Sequence, residues 1–254
     1  MKNKMALASK AKIFHFEIVE STNDVAFELL KEGEKSVVVV ADWQTAGRGR
    51  NGKTWESSKQ KNLLFSFGVS HSIKDISLYL LQVIGSLATK KTLEKYIDKE
   101  RIYLKYPNDV YVKTDDEYKK IAGIISETNY LNENNCHSVI GIGVNIMQVP
   151  DKENVPNAVA LAECTKLKNE INIEKITLEL KNNIEEILTN SEENIFNTWT
   201  KELNIIGKKI IVLQEEKKQY FALSILKDCR LLVEDSEKQQ KIIDNGDTIR
   251  YEFQ

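Results

Sequence analysis

Gln44-Thr45-Ala46-Gly47-Arg48-Gly49-Arg50-Asn51-Gly52-Lys53-Thr54-Trp55 places three glycines and three cations within the seven positions 47–53. Glycine lets a backbone turn at positive φ and lets main-chain amides approach a ligand closely. Arg48 and Arg50 add planar, permanently charged forks that grip phosphate or carboxylate bidentately. Just upstream, residues 36–42 contain four successive valines, 37–40. Such a run cannot alternate with solvent, so it predicts a strand covered on both faces. Residues 62–69 predict another strand downstream. The basic loop thus joins two strands of a covered sheet, with the amphipathic Trp55 at its far end. A solvated surface loop is the plain alternative. The ligand-binding reading gains its weight from motifs elsewhere in the chain.

Upstream of the loop, residues 12–19 predict a strand. Ser21-Thr22-Asn23 follows and opens a helix over 24–30 that Gly33 ends. Short polar side chains at a helix start are a capping signal, and the same hydroxyls and amides can hold a polar ligand. Downstream, the apolar period over 77–97 predicts a packed helix. A strand over 101–106 runs into Lys105-Tyr106-Pro107-Asn108-Asp109, a turn by its proline and Asn-Asp pair. Residues 110–112 resume as strand, and 114–118 form an acidic hairpin tip. In 119–127, Lys120 precedes Ala122 and Gly123 in a strand with little room for its side chain, so its ammonium either lies on an exposed rim or meets an anion. The strand over 138–147 carries Gly141, Gly143 and Asn145 at period two, a face prepared for close approach of a ligand or backbone.

After a polar loop at 150–156, residues 172–203 predict two helices, the second containing Trp199. From Gly207 onward, short strands over 208–213, 220–226, 230–234, 241–243 and 248–253, with turns at Asp228 and Asn245-Gly246-Asp247, predict a small β-barrel. A domain boundary falls near Ile205, giving 1–205 and 206–254.

The chain has 254 residues, 41 % of them apolar, and a net charge of −2, with both signs spread throughout. That balance argues against a dedicated nucleic-acid binder. Cys136, Cys164 and Cys229 are odd in number and widely spaced, which predicts reduced thiols. His15, His71 and His137 lack the spacing of zinc ligands. No signal-peptide or membrane-spanning run stands out, so a cytoplasmic protein that avoids membranes is expected.

Five motifs in order resemble the biotin protein ligase family, also called biotin–acetyl-CoA-carboxylase ligases. They are Ser21-Thr22-Asn23, Gln44-x-x-Gly47-Arg48-Gly49-Arg50-x-Gly52, Lys105-x-Pro107-Asn108-Asp109, Lys120-x-x-Gly123 and Gly141-x-Gly143-x-Asn145. The resemblance implies an α+β fold. A mixed sheet with flanking helices, like a class II synthetase catalytic domain, would precede a C-terminal SH3-like barrel. It also implies the reaction: biotin and ATP give biotinyl-5′-adenylate and pyrophosphate, and the biotinyl group passes to one lysine of a biotin carboxyl carrier protein. Arg48, Arg50 and Lys120 are then the catalytic cations. Ser21, Thr22, Asn23, Gln44, Gly47, Arg48, Gly49, Arg50, Lys120 and Gly123 would contact biotin. Arg50, Trp55, Asn108 and Asn145 would hold the nucleotide, and Asp109 would face Mg²⁺.

The family often has tryptophan at the position of Tyr106. It usually has a glycine in the terminal module where Lys227-Asp228-Cys229 stands here. Some relatives carry an N-terminal DNA-binding domain, and the roughly twenty residues before Ser21 lead to the expectation of no DNA partner. A homodimer is compatible with a sequence that does not fix the oligomeric state. A lipoate or octanoate transferase on the same core, and a non-catalytic binding module, are the competing readings. The Gly-Arg-Gly-Arg loop argues against the first, and retention of all three cations against the second.

Overall fold

The computed structural model describes residues 10–115, 117–150, 155, 157–213, 217–243 and 249–250. The chain opens with β1 (Lys12–Val19), α1 (Thr22–Lys31) and β2 (Ser36–Gln44). β1 and β2 run parallel, as a crossover through a helix requires. Then follow β3 (Asn62–Ser72), α2 (Tyr79–Leu93), β4 (Ile102–Lys105), β5 (Asp109–Lys113), β6 (Tyr118–Tyr130) and β7 (Asn135–Asn145). These seven strands form one mixed sheet in the order β1-β2-β3-β7-β6-β5-β4, all other pairs being antiparallel. Beyond it lie the short α3 (Leu161–Cys164), α4 (Ile173–Leu188) and α5 (Glu192–Leu203).

The valine run explains why the sheet is covered twice. Val37 and Val39 pack with Ala26, Phe27 and Leu30 of α1 on one face. Val38 and Val40 enter the main core with Leu80, Leu81 and Ile84 of α2 on the other, where Ile176 and Leu180 of α4 and Trp199 of α5 also pack. Gly141, Gly143 and Asn145 follow Val139 at period two, so they share the α1 face, while Ile140, Ile142 and Val144 serve the main core.

One irregularity decides where Lys120 points. The β5–β6 register shifts after Val110: Val110 pairs with Ala122, but Tyr111 pairs with Lys120. Ile121 is the extra residue of a β-bulge. Ile121 and Ala122 are both buried in the main core, so the usual alternation is broken once. Without the bulge, Lys120 would share the core face of Ala122 and Ile124. With it, Lys120 returns to the face of Gly123. The backbone groups released by the bulge find new partners: Lys120 N donates to Asn157 O (2.7 Å), and Val159 N donates to Lys120 O (2.9 Å).

The expected small β-module is a five-stranded antiparallel sheet in the order β11-β10-β9-β8-β12. Its strands are β8 (Lys209–Leu213), β9 (Lys217–Ile225), β10 (Leu231–Glu234), β11 (Gln240–Ile243) and β12 (Ile249–Arg250). The turn at Asn245-Gly246-Asp247, most of the strand expected over 248–253, and much of the 150–156 loop lie outside the described residues. Where a glycine was expected, Cys229 itself takes a left-handed φ of 65° between β9 and β10. Cys229 N donates to Leu226 O, which closes the turn. The two sheets share one continuous core. At their junction the Tyr106 hydroxyl donates to the carbonyls of Cys229 (3.1 Å) and Ile243 (3.3 Å), so a phenol serves where tryptophan was the family's usual residue. Among the described residues no helix is long and apolar enough to cross a membrane.

Candidate active site

A cleft of about 340 Å³ opens on the α1 face, and it gathers residues from all five sequence motifs. Its floor is β6 and β7 at Gly123, Gly141 and Gly143. A Cβ at Gly143 would fall 2.2 Å from Cε2 of Trp55, so the indole lies against the bare backbone there. The Trp55 Nε1–H is buried without a hydrogen-bond partner among the described residues, a cost unless an acceptor arrives.

One end of the cleft is polar and uncharged. Ser21 occupies the N-cap position of α1, yet its side chain makes no capping bond. The first helical amide is satisfied from β2 instead: Gln44 Oε1 accepts from Thr22 N (2.7 Å) and from Thr22 Oγ1 (2.8 Å). Ser66 Oγ donates to Asn23 Oδ1 and lies 2.7 Å from Thr22 Oγ1. Asn23 rests on Gly141, where a Cβ would sit 2.5 Å from its Oδ1. These side chains are therefore fixed by each other rather than by solvent. At Gly47 an added Cβ would fall 2.5 Å from Trp55 O and 2.8 Å from Gln44 Nε2, which is why the loop leaves β2 through a glycine.

The other end is charged. Lys120 Nζ lies 2.7 Å from Asp109 Oδ1 and 5.6 Å from the Trp55 ring centroid. Arg50 Nη1 donates to Asn108 Oδ1 (3.1 Å), while Asn108 Nδ2 donates to Ile124 O (2.6 Å). Asn145 Oδ1 accepts from Asn62 Nδ2 at 3.2 Å. Arg50 and Lys120 thus flank one space from opposite sides, one on the loop and one on the sheet.

The loop is itself a small hairpin. Gly49 N donates to Lys53 O, Trp55 N to Gly47 O, and Arg48 bridges Thr54. Arg48, expected over the anions, lines the cleft but commits its fork to two carboxylates, Asp24 and Glu127. Its hydrogen bonds to Asp24, then those to Glu127, favour the charged guanidinium still further.

Several lining residues were not among the expected site residues, although Lys105 opens the third motif. Lys105, Tyr111 and Arg250 reach the charged end, Arg250 from the last described strand. Burial raises the Tyr111 phenol well above its usual range, so it stays protonated. Ser66 and Glu127 were missed because a lone serine or glutamate in a strand has no distinctive pattern. The three cysteines are buried and free. Burial pushes the Cys164 thiol up to about 11 and Cys229 up to about 12, which leaves them poor nucleophiles.

A mixed sheet whose glycine floor lies under a basic hairpin places the chain in a class of protein ligases. The chain belongs to the biotin/lipoate A/B protein ligase family, which it matches over residues 15–145. Among curated relatives it is 32 % identical over 146 residues to a biotin–protein ligase of Schizosaccharomyces pombe, covering 51 % of this chain and 23 % of that one. It is 30 % identical over 141 residues to the bifunctional ligase/repressor BirA of Escherichia coli, covering 55 % and 42 %. The match therefore spans less than half the length of either relative. Among solved structures, the fold is that of biotin protein ligases. The Aquifex aeolicus enzyme in complex with biotin and ATP superposes with a TM-score of 0.71 at 26 % identity, over 95 % of this chain and 98 % of that one. The Helicobacter pylori synthetase with bound biotinylated ATP shares the fold at a TM-score of 0.63.

Proposed function

We propose that this protein is a biotin–[acetyl-CoA-carboxylase] ligase, which makes biotinyl-5′-adenylate from biotin and ATP and passes the biotinyl group to one lysine of a biotin carboxyl carrier protein. The observation that carries this reading is a single cleft with a fixed uncharged end at Thr22 and Gln44 and a cationic end at Arg50 and Lys120. The uncharged end suits a ureido ring, which needs both donors and acceptors. The cationic end suits a carboxylate meeting a triphosphate.

In the first step a biotin carboxylate oxygen attacks the α-phosphorus, and pyrophosphate leaves. Both reactants are anions, so preorganised cations lower the barrier. Arg50 and Lys120 take that role, approaching from the two sides of the cleft. Trp55 offers its ring to the adenine, with Asn145 at the base edge. In the second step the neutral lysine amine of the carrier attacks the acyl carbon. The AMP phosphate leaves, and the amine loses a proton.

A divalent cation would enter with the triphosphate. Among the described residues no group of three or more His, Cys, Asp or Glu could hold a metal, and Asp109 is the carboxylate at the charged end beside Asn108. One carboxylate plus phosphate oxygens suits Mg²⁺, which binds hard oxygens and keeps several waters. Asp109 would hold it, and the ion would offset phosphate charge.

Within this reading, residues 1–205 carry the chemistry. Residues 206–254 brace the Tyr106–Asp109 turn and supply Arg250. The test is incubation with biotin, ATP and a carrier domain, followed by mass spectrometry of the carrier. A biotinyl adduct is expected. Lipoyl or octanoyl transfer instead would establish the related acyl ligase, and binding of biotin without turnover would establish a non-catalytic module.

A further inference from the structure

We propose that Asp24 and Glu127 are positioning residues that hold the Arg48 guanidinium and so keep the 47–55 hairpin closed over the cleft, setting how long the adenylate is retained. The proposal rests on the ligase reading and assigns Arg48 to closure rather than to phosphate.

Arg48 on Asp24 and Glu127, Arg50 on Asn108, and Trp55 on Gly143 help to anchor the hairpin. Arg50 and Trp55 line the space assigned to the nucleotide, so both respond directly to its arrival. Arg48 also lines the cleft, but its partners Asp24 and Glu127 do not, so this anchor can persist when the nucleotide binds.

Its geometry is that of a built clasp. Arg48 Nη1 and Nη2 each meet one Asp24 oxygen at 2.7 Å, a parallel two-bond pairing. Nε and Nη2 reach Glu127 at 3.3 and 3.1 Å. Asp24 stands in the first turn of α1, where the helix favours a negative charge.

Glu127 also links the clasp to the substrate end. Its Oε2 accepts from Asn23 Nδ2. That bond turns Asn23 Oδ1 toward Ser66, whose hydroxyl adjoins Thr22 and through it Gln44. A chain of contacts therefore runs from the hairpin to the groups assigned to the ureido ring. Opening the hairpin leaves Glu127 without Arg48 and loosens the orientation of Asn23.

The test compares the wild type with Asp24→Asn/Glu127→Gln, both as full chains. The glutamine keeps an oxygen for Asn23 while removing the charge that Arg48 needs. Adenylate is formed with biotin and ATP, pyrophosphate is hydrolysed, and release is followed by filtration. Release about tenfold faster in the variant is expected, the scale of losing charge-assisted bonds. Cleavage of the ligand-free chain by trypsin at 48–53 should quicken, with single-turnover adenylate formation far less affected and the melting temperature nearly unchanged.

Arg48→Ala provides the partner for a double-mutant comparison with Glu127→Gln. If the clasp exists, the combination releases adenylate no faster than Arg48→Ala alone. Unchanged release in the double-carboxylate variant, or independent additive effects of Arg48→Ala and Glu127→Gln, would overturn the proposal. A wild type that forms no adenylate refutes the ligase reading. In that case trypsin sensitivity alone decides the clasp, with equal cleavage of wild type and variant sinking it.

Discussion

The ammonium of Lys120 stands 2.7 Å from the carboxylate of Asp109, at the end of the cleft where Arg50 enters from the opposite side. The pair holds the charge of Lys120 in place before any anion arrives. Preorganisation of this kind spares the reaction the cost of gathering charges during the step itself.

Lys120→Ala should therefore lower biotin-dependent pyrophosphate exchange by roughly 10²–10³-fold, by analogy with loss of an oxyanion donor. Stability should barely move, because a partly exposed ion pair contributes about 0–1 kcal/mol. Exchange within tenfold of wild type would refute the role, and a collapse of the melting temperature would show that the pair is structural.

Gly143→Ala tests the seat of the indole. The new methyl would fall 2.2 Å from the Trp55 ring, so the ring must leave its place. Loss of a base–aromatic stack, worth about 1–3 kcal/mol, should raise the KM for ATP roughly tenfold or more. Tryptophan emission should shift to the red as the indole meets water. An unchanged KM for ATP would remove Trp55 from the nucleotide site.

Tyr106→Phe deletes the hydroxyl that donates to Cys229 and Ile243 while keeping the ring packed against Trp199. Two buried carbonyls lose a donor, so destabilisation of about 1–3 kcal/mol is expected in urea unfolding. A neutral result would mean that the two sheets are held together by apolar packing alone.

Stability should fall on acidification. His71 Nδ1 donates to the Ser72 carbonyl, which leaves Nε2 to accept from Ser138. Burial holds His71 below its ordinary value of 6.5, and burial, then Lys31, then His71 do the same for His137. Below 6.5 the unfolded chain binds these protons more readily than the folded one. The stabilisation is thus complete above that value and is lost as pH falls through the window beneath it. Urea midpoints at about pH 7.5 and 5.5 should show the loss, and His71→Gln/His137→Gln should flatten it. An equal slope in that variant would assign the effect to other groups.

Much of this was legible in the sequence. The valines at 37–40 announced a sheet covered on both sides, and Val38 and Val39 do feed opposite cores. The period-two glycines announced a bare floor, and Gly141 and Gly143 lie beneath Asn23 and Trp55. The partners of the cations were hidden. Arg48 and Glu127 stand 79 residues apart, and a pairing at that distance leaves no local pattern. Helix α1 was foreseen with a hydroxyl cap, but Gln44 supplies the oxygen from the next strand. The predicted helix over 77–97 is shorter, ending at Leu93, because periodic apolar residues continue into a turn. Arg250 was missed because only the chain's path brings β12 to the cleft.

The bulge beside Tyr111 lets Lys120 and Gly123, three positions apart, face the same cleft. At the present spacing, pairing without the bulge would turn the ammonium of Lys120 into the apolar layer beneath α2, and the backbone bonds of Lys120 to Asn157 and Val159 hold the strand against that slip. Exchanges of Ile121 for another aliphatic should be harmless, whereas losing the bonds to Asn157 and Val159 would release the bulge and withdraw Lys120 from the cleft with every side chain of the site still in the sequence.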